Sequence, residues 1–447
     1  VPISSITNGV HVSSWLGPEM AEVFDRRLSP GWAERGNAQW QGALDAVPDA
    51  ELWRARERAR ERLVYLVRER LRAQLLARGV SEAETAWTDG VFDPGILTIG
   101  FARRFAQYKR ATLMLSDRER LKRLLLSSDR GVQIVVAGKA HPRDDGGKEL
   151  IRSLVHFAGE PDVRERFVVI EDYDMAVARV LTQGCDVWLN NPRRPLEACG
   201  TSGMKAVLNG ALNCSVLDGW WDECYDGRNG WAIGTREILD DVEAQDRQDA
   251  ISLYNVLERQ VAARFYDRSE GPVPRRWVES IKHSITTVAG YVAADRMLRD
   301  YVEQLYESAA QQGRDLLEED FRGARELAGW KARVREQWGD VAIVDVQGDV
   351  TPAALGEERA VEASVRLGRL GPEDLSVQLA HGRVGANGEL VEPSVVGMDL
   401  RDHGDGIGRF RGSFSAAAAG LYGFTVRILP SHPGMTSELD MGLITQA

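Results

Sequence analysis

The stretch CDVWLNNPRRPLEACGTSGMKAVLNGALNCSVLDG, residues 185–219, contains two apolar runs separated by a helical pattern. "CDVWLNN" and "LNCSVLDG" are typical of strands that are buried on both faces, and "GMKAVLNGA" is typical of a helix. A strand, a helix and a second strand in this order predict a parallel sheet covered by helices. Lys205 does not fit this apolar pattern, because burying an ammonium group is costly unless something compensates it.

The same alternation continues on the N-terminal side of this stretch. "GILTIGFA", "VQIVVAG" and "RFVVIED" are further predicted strands, with helical patterns between them. We therefore predict a doubly wound α/β sheet, in which ligands bind beyond the carboxyl ends of the strands. The polar or unusual residues that follow the predicted strands are Arg103, Arg104, Gly138, Lys139, Tyr173, Asn190, Asn191 and Asp218.

The rest of the chain shows two different sequence patterns, one helical and one β-rich. Residues 50–78 form a predicted amphipathic helix that ends at Gly79, and helical patterns return from about residue 245 to 335. Beyond this point, short alternating strands such as "RAVEASVRLG" and "GLYGFTVRILP" are separated by glycine and proline turns. We predict a Rossmann-like domain with flanking helices over residues 1–335 and an all-β sandwich-like domain over residues 336–447.

Composition excludes several classes of protein. The chain has 447 residues, of which 43% are hydrophobic and 28% charged, as in an ordinary soluble protein. Its net charge of −11 argues against a nucleic-acid partner, and no apolar run is long enough for a membrane span. Four cysteines without zinc spacing predict reduced thiols in a cytoplasmic protein, and no metal site is indicated. The chain starts Val-Pro-Ile without Met, so we expect a fragment.

Lys205 follows the sequence Gly-Thr-Ser-Gly at the predicted helix start. Backbone N–H groups at a helix start can bind a phosphate, although the spacing is not that of a P-loop. An amine beside a phosphate pocket is what pyridoxal phosphate requires, since it offers an aldehyde and an anion. A lysine that extends to solvent from the helix start is the alternative, and this segment alone favours it.

Three other segments are candidates for binding. The cations of "GFARRFAQYKRA" suit phosphate, or else a surface network of salt bridges. Asn8 and His11 can bond sugar hydroxyls beside Trp15, although a turn before a core tryptophan is the favoured interpretation of that spacing. "DGWWDECYDGRNGWAIG" is either a loop that faces carbohydrate or an ordinary aromatic cluster. Glu197, eight residues before Lys205, could bond ligand hydroxyls.

Five segments together resemble the α-glucan (glycogen, starch and maltodextrin) phosphorylases, in that family's order. They are "TNGVHVSSWL", "ARRFAQYKR", "AGKAHP", "EACGTSGMKAVLNGAL" and "AADRMLRDYVEQLY", within residues 1 to 310. The β-rich tail is similar to the extra domain of the short bacterial branch. The resemblance implies the C-terminal Rossmann-like lobe of a two-lobed glycosyltransferase (GT-B) fold, with the N-terminal lobe absent from this chain.

The resemblance also implies an activity. The reaction would be retaining phosphorolysis of an α-1,4-glucan such as glycogen or maltodextrin by inorganic phosphate, giving α-D-glucose 1-phosphate. Pyridoxal 5′-phosphate would be the cofactor, held as a Schiff base on Lys205, and its phosphate group would donate and accept the proton. Glucan and inorganic phosphate would be the partners, without nucleic acid or membrane, and a homo-oligomer stays open.

Site residues follow from the same resemblance. The catalytic set would be Lys205, Arg104, which holds the substrate phosphate, and Lys109, which lies between the two phosphates. The residues around the cofactor would be Gly200, Thr201 and Ser202 at its phosphate, Trp15 and Tyr173 at its ring, with Arg103 and Lys109 in support. The residues that bond glucose would be Asn8, Glu197, Cys199 and Gly200, and Arg104 would complete the substrate site.

This sequence departs from the family pattern at a few positions, and two alternatives remain. Cys199 stands where serine is common, Arg103 where lysine is common, and Asp174 where the residue is often basic. One alternative is a retaining nucleotide-sugar glucosyltransferase, which would use Arg104, Lys109 and Glu197 and leave Lys205 structural. The other is a non-catalytic carbohydrate-binding protein.

Overall fold

The computed structural model describes residues 3–28, 31–32, 44–385, 387–416 and 419–447. They form two compact units, one comprising Ile6–Tyr301 and the other mainly Val302–Ala447. Every helix in the described part of the chain is too short or too polar to cross a lipid bilayer.

A parallel six-stranded sheet forms the centre of the first unit. Its strands are β1 (Leu97–Ala102), β2 (Val132–Ala137), β3 (Phe167–Ile170), β4 (Val187–Asn190), β5 (Leu212–Val216) and β6 (Gly230–Ile233). Their order in the sheet is β3-β2-β1-β4-β5-β6, and all neighbours pair in parallel. The order reverses between β1 and β4, which is where doubly wound sheets form a ligand crevice.

Burial explains why the strands are visible in the sequence. Every residue of β1, β2, β4 and β5 is buried, so these strands are continuous apolar runs without alternation. The α/β class and the five predicted strands are confirmed. The short strand β6 was not predicted.

Helices flank this sheet. They are α1 (Val12–Trp15), α2 (Pro18–Arg27), α3 (Asp49–Ala77), α4 (Arg118–Leu125), α5 (Asp145–Ala158), α6 (Met175–Gly184), α7 (Thr201–Leu208), α8 (Trp220–Cys224), α9 (Val242–Val256), α10 (Ala262–Phe265), α11 (Arg275–Val288) and α12 (Ala294–Tyr301). The long helix predicted over 50–78 is α3. Its Arg60 bonds Asp186 at 2.9 and 3.0 Å, so a buried ion pair attaches α3 to the residue before β4.

The second unit is a β-sandwich, as predicted. Its strands are β7 (Ala342–Gly348), β8 (Glu358–Arg366), β9 (Leu375–Val384), β10 (Leu390–Gly397), β11 (Asp399–Gly404), β12 (Ile407–Ser415), β13 (Tyr422–Pro430) and β14 (Thr445–Gln446), preceded by helix α13 (Glu307–Gln337). Two sheets, β10-β9-β13-β14 and β11-β12-β8-β7, share one hydrophobic core.

The predicted domain boundary at 335/336 stays a prediction. The compact units divide earlier, between Tyr301 and Val302. The reason is that Trp330 and Val334 of α13 are buried in the core of the β-sandwich, which joins this helix to the second unit.

Candidate functional site

The loop after β1 runs beside the end of β2, at the carboxyl edge of the sheet. Arg103 N–H donates to Ala137 O at 3.1 Å, and Phe105 N–H donates to Lys139 O at 2.9 Å. A Cβ atom on Gly138 would lie 2.0 Å from Arg103 O, so only glycine permits this approach. The "AGKAHP" segment thus fixes the backbone from which Arg103 extends.

Arg103, Lys109 and Glu197 form a buried cation–carboxylate cluster. Lys109 Nζ lies 3.1 and 3.4 Å from the two Glu197 oxygens, and Arg103 Nη2 lies 3.2 Å from Oε1. All three residues are at most 8% exposed. Desolvation lowers the pKa of Arg103, while the Glu197 carboxylate opposes that shift. Arg103 Nη1 is buried and has no hydrogen-bond partner among the described residues.

The next cation of the segment, Arg110, is structural. Its side chain donates to the carbonyl oxygens of Asn191 and Pro192 at 2.9 and 2.8 Å, so it joins the loop after β1 to the loop after β4. Asp246 and Asp249 neutralise it at 2.9 and 2.8 Å. Arg110 is one of the cations of "GFARRFAQYKRA" that suit phosphate or a network of salt bridges, and its contacts are those of the salt-bridge alternative.

Arg104 differs from its neighbours because it is exposed. It makes no ion pair with any residue in the described ranges. The predicted phosphate-binding cation therefore has an unneutralised charge next to the cation–carboxylate cluster.

The loop before α7 brings Glu197 and Gly200 together. Glu197 N–H donates to Asp218 Oδ2 at 2.8 Å, and Trp220 Nε1 donates to Gly200 O at 3.0 Å. A Cβ atom on Gly200 would lie 3.9 Å from Glu197 Oε1 and 3.7 Å from Asn190 Nδ2. Gly200 precedes α7 and provides no side-chain cap, so the positive end of this helix faces the cluster without a capping oxygen.

Lys205 is half-buried, and its ammonium group lies over an aromatic ring. Its Nζ is 3.7 Å from the centre of the Trp15 ring, and burial lowers the pKa of Lys205. Trp15 is held in place through its carbonyl oxygen, which accepts from Asn209 Nδ2 at 2.9 Å and Gln183 Nε2 at 3.2 Å. Helix α1 is thereby fixed beside α7.

The other predicted cofactor residues lie at the same edge of the sheet. Burial raises the pKa of Tyr173 to about 12, and the charge of nearby Arg103 opposes the rise. Thr201 and Ser202 are half-buried in the first turn of α7. The Ser202 hydroxyl accepts from Trp188 Nε1 at 3.1 Å.

The predicted sugar residues Asn8 and Cys199 are in contact. Asn8 hydrogen-bonds to the Cys199 thiol, which limits the rise in that thiol's pKa caused by burial. The residues that hold this N-terminal turn were not predicted as site residues. Glu223 accepts from Thr7 Oγ1 at 2.6 Å, and Arg296 donates to Thr7 O at 2.6 Å. Arg296 belongs to "AADRMLRDYVEQLY", so one of the five segments that resemble the family contains a residue that holds this turn.

The tryptophans of "DGWWDECYDGRNGWAIG" form an aromatic cluster. Trp220, Trp221 and Trp231 are all buried, and the first two rings meet edge to face at 5.2 Å. The alternative, a loop that offers these rings to carbohydrate, is wrong because their faces are covered by the core.

Within the described residues, no group of three or more His, Cys, Asp or Glu side chains is arranged to hold a metal ion.

Comparisons with known proteins identify a family. Residues 2–225 match the carbohydrate phosphorylase family, and residues 338–447 match the glycogen phosphorylase C-terminal domain. Glycogen phosphorylase from Mycobacterium tuberculosis (strain ATCC 25618 / H37Rv) is 47% identical over 450 residues, covering 100% of this chain and 52% of that protein. Maltodextrin phosphorylase from Thermococcus litoralis is 38% identical over 453 residues, covering 99% and 52%. The chain thus spans about half the length of these relatives.

The fold and the comparisons agree. The parallel sheet and the following β-sandwich are consistent with the GT-B fold of phosphorylases. The family match covers just over half of the chain, and the second match covers the β-sandwich. The chain belongs to the carbohydrate phosphorylase family.

Proposed function

We propose that this chain supplies the cofactor- and phosphate-binding lobe of an α-1,4-glucan phosphorylase. The reaction is retaining phosphorolysis of glycogen or maltodextrin to α-D-glucose 1-phosphate. The observation that carries the proposal is the position of Lys205, with its amine over Trp15 and one turn behind the uncapped start of α7. Two related proteins named glycogen phosphorylase and maltodextrin phosphorylase support this choice of substrates.

The residues of the site fit pyridoxal 5′-phosphate. Burial lowers the pKa of Lys205, which favours the neutral amine that a covalent bond to an aldehyde requires. The start of α7 has no capping side chain, and the buried Arg103 Nη1 is an unused donor. A cofactor bound there would supply a phosphate group for proton exchange with the substrate phosphate.

This chain's residues would divide the work of holding the cofactor. Lys205 Nζ would form the covalent attachment, and Trp15 and Tyr173 would contact the ring. Gly200, Thr201 and Ser202 would bind the cofactor phosphate through the first turn of α7.

Cations on the loop after β1 would bind the substrate phosphate. In the cluster, Arg103 and Lys109 carry two positive charges against the single charge of Glu197, so a further anion is favoured there. Arg104 binds the substrate phosphate, since it is exposed and has no ion pair in the described ranges. Arg104 and Lys109 then stabilise the negative charge that develops as the glycosidic bond breaks.

Polar groups next to this cluster would bind the terminal glucose unit. Glu197 uses both carboxylate oxygens on cations, yet a carboxylate accepts about four hydrogen bonds, so it can still accept a sugar hydroxyl. Asn8, Cys199 and the Gly200 backbone provide the other contacts. A cytoplasmic location agrees with the four free thiols.

Absorbance spectroscopy with mass spectrometry tests the proposal. We expect the purified chain, incubated with pyridoxal phosphate, to show the band of a pyridoxal–lysine adduct. After borohydride reduction, the pyridoxyl mass should lie on Lys205. Lys205→Ala should remove the band, and the control Lys148→Ala, at a half-exposed lysine of α5, should keep it.

A colourless chain that takes up no cofactor would contradict the proposal. It would return Lys205 to a structural role and favour a nucleotide-sugar glucosyltransferase.

A further inference from the structure

The second unit contains a cavity of about 700 Å³ that the proposed reaction does not use. It is formed by the loop after β7, the start of β8, the end of β12 and the start of β13. Its volume is that of a ligand pocket rather than of a packing defect.

Aromatic rings form one side of the cavity and are held rigidly. Phe414 and Tyr422 lie nearly parallel, with centroids 5.9 Å apart, and Phe424 lies 5.7 Å from Phe414. Behind them, His381 stacks on Phe414 at 4.8 Å, and its Nδ1 is hydrogen-bonded to the Tyr422 hydroxyl at 3.1 Å. The rings therefore need no reordering to receive a ligand, which reduces the entropic cost of binding.

A neutralised arginine forms the polar side. Arg359 pairs with Asp349 at 2.5 Å and with Glu357 at 3.2 Å, and its buried Nε has no partner among the described residues. Because two carboxylates outweigh one guanidinium, this side does not attract an anion. Its donors and acceptors suit neutral hydroxyl groups instead.

Leu355 and Leu421 line the same cavity, yet both are largely exposed to solvent. Apolar side chains at the mouth of an aromatic cavity favour a ligand that has an apolar face. A pyranose ring combines such a face of C–H groups with hydroxyls at its edge.

We propose that this cavity binds a segment of α-glucan, separately from the catalytic site. This inference rests on the proposed function, which makes a glucan the substrate. A glucan chain is long and repetitive, so a second site on the same protein raises its effective concentration near the first.

Hydrogen–deuterium exchange of the full chain with maltoheptaose tests the inference. We expect slower exchange in peptides covering 349–359 and 419–424 when the oligosaccharide is present. Unchanged exchange in those peptides would overturn the inference, including the case in which only Ile6–Tyr301 is protected. Cofactor uptake at Lys205 is a separate readout, so its failure with protection retained would count against the proposed function alone.

A matched pair of variants provides a second measurement. Leu421→Ser removes an exposed apolar contact from the cavity, and Leu400→Ser changes an exposed leucine of β11 that does not line it. In native gels containing glycogen, Leu421→Ser should weaken retardation, with the apparent Kd raised about tenfold. Leu400→Ser should migrate like the unchanged chain. Equal retardation of all three proteins would overturn the inference.

Discussion

Lys205 is tolerated in an apolar helix because its charge is only partly desolvated and the Trp15 face compensates it. A cation over an aromatic ring gains about 0.5–2 kcal/mol, less than full hydration provides. Desolvation is the cause of its lowered pKa. The neutral amine is therefore present at lower pH than in a free lysine.

The resulting prediction concerns the pH dependence of acetylation. The reaction of Lys205 with acetic anhydride, followed by peptide mass spectrometry, should rise with pH around a midpoint below that of Nα-acetyl-lysine amide. The sign follows from burial, which disfavours the protonated form and so shifts the titration to lower pH. A midpoint at or above that of the free amine would show that the ammonium group is fully hydrated.

Individual site residues could be predicted from sequence, but their pairing could not. Gly200 and Lys205 were predicted because five segments together resemble one family, whereas the glycine-rich helix start alone favoured a lysine that extends to solvent. The contact between Lys109 and Glu197 spans 88 residues of sequence, and nothing local specifies which cation a carboxylate meets. The contact of Lys205 with Trp15 depends equally on tertiary packing.

At the scale of elements, the side-chain amide of Asn209 holds α1 beside α7, with a further hydrogen bond from Gln183. Asn209 donates to Trp15 O at 2.9 Å and accepts from Gly17 N–H at 2.6 Å, so it holds both ends of the turn after α1. The same Nδ2 donates to Lys205 O at 2.8 Å. The buried side chain of Asn209 is thus hydrogen-bonded to the backbone of both Trp15 and Lys205, whose side chains contact each other.

Asn209→Ala should therefore loosen α1 and weaken the site together. We expect the free energy of unfolding to fall by about 1–3 kcal/mol, because a buried donor and acceptor lose their partners. The yield of the pyridoxal adduct on Lys205 should fall as well. Urea denaturation and the reduced-adduct assay measure these effects, and Gln260→Ala, at an exposed position, is the control. Full stability with full adduct yield would show that α1 does not depend on Asn209.

The strands that were not predicted lack a clear apolar pattern, for different reasons. Strand β6 begins at a glycine and lies within "DGWWDECYDGRNGWAIG", which predicted a loop or an aromatic cluster. Strands β10 and β11 are almost wholly exposed, so they lack the alternation of a half-buried strand. The strand order of the parallel sheet was also beyond sequence patterns, because it depends on crossover connections rather than on local composition.

At the scale of the whole molecule, charge is distributed unevenly. The chain has a net charge of −11, yet Arg103, Arg104 and Lys109 follow one strand within seven residues. A long-range attraction for anions is therefore not expected from the protein as a whole. Phosphate would be attracted by the local field of these cations inside a partly buried crevice, where screening by salt is weaker than at an open surface.

The two compact units have separate hydrophobic cores, which predicts separate responses to core mutations. Leu379 of β9 and Ile99 of β1 are both fully buried, and the clusters that contain them share no residue. Leu379→Ala should cost about 2–5 kcal/mol by creating a cavity, and Ile99→Ala a similar amount. In native-state hydrogen exchange, Leu379→Ala should accelerate the amides of β9 and β13 and leave those of β1 and β2 unchanged, with the reverse for Ile99→Ala. If either variant accelerated exchange equally in β9 and β13 and in β1 and β2, the chain would unfold as one cooperative unit. The stabilities of the two hydrophobic cores would then not be independent.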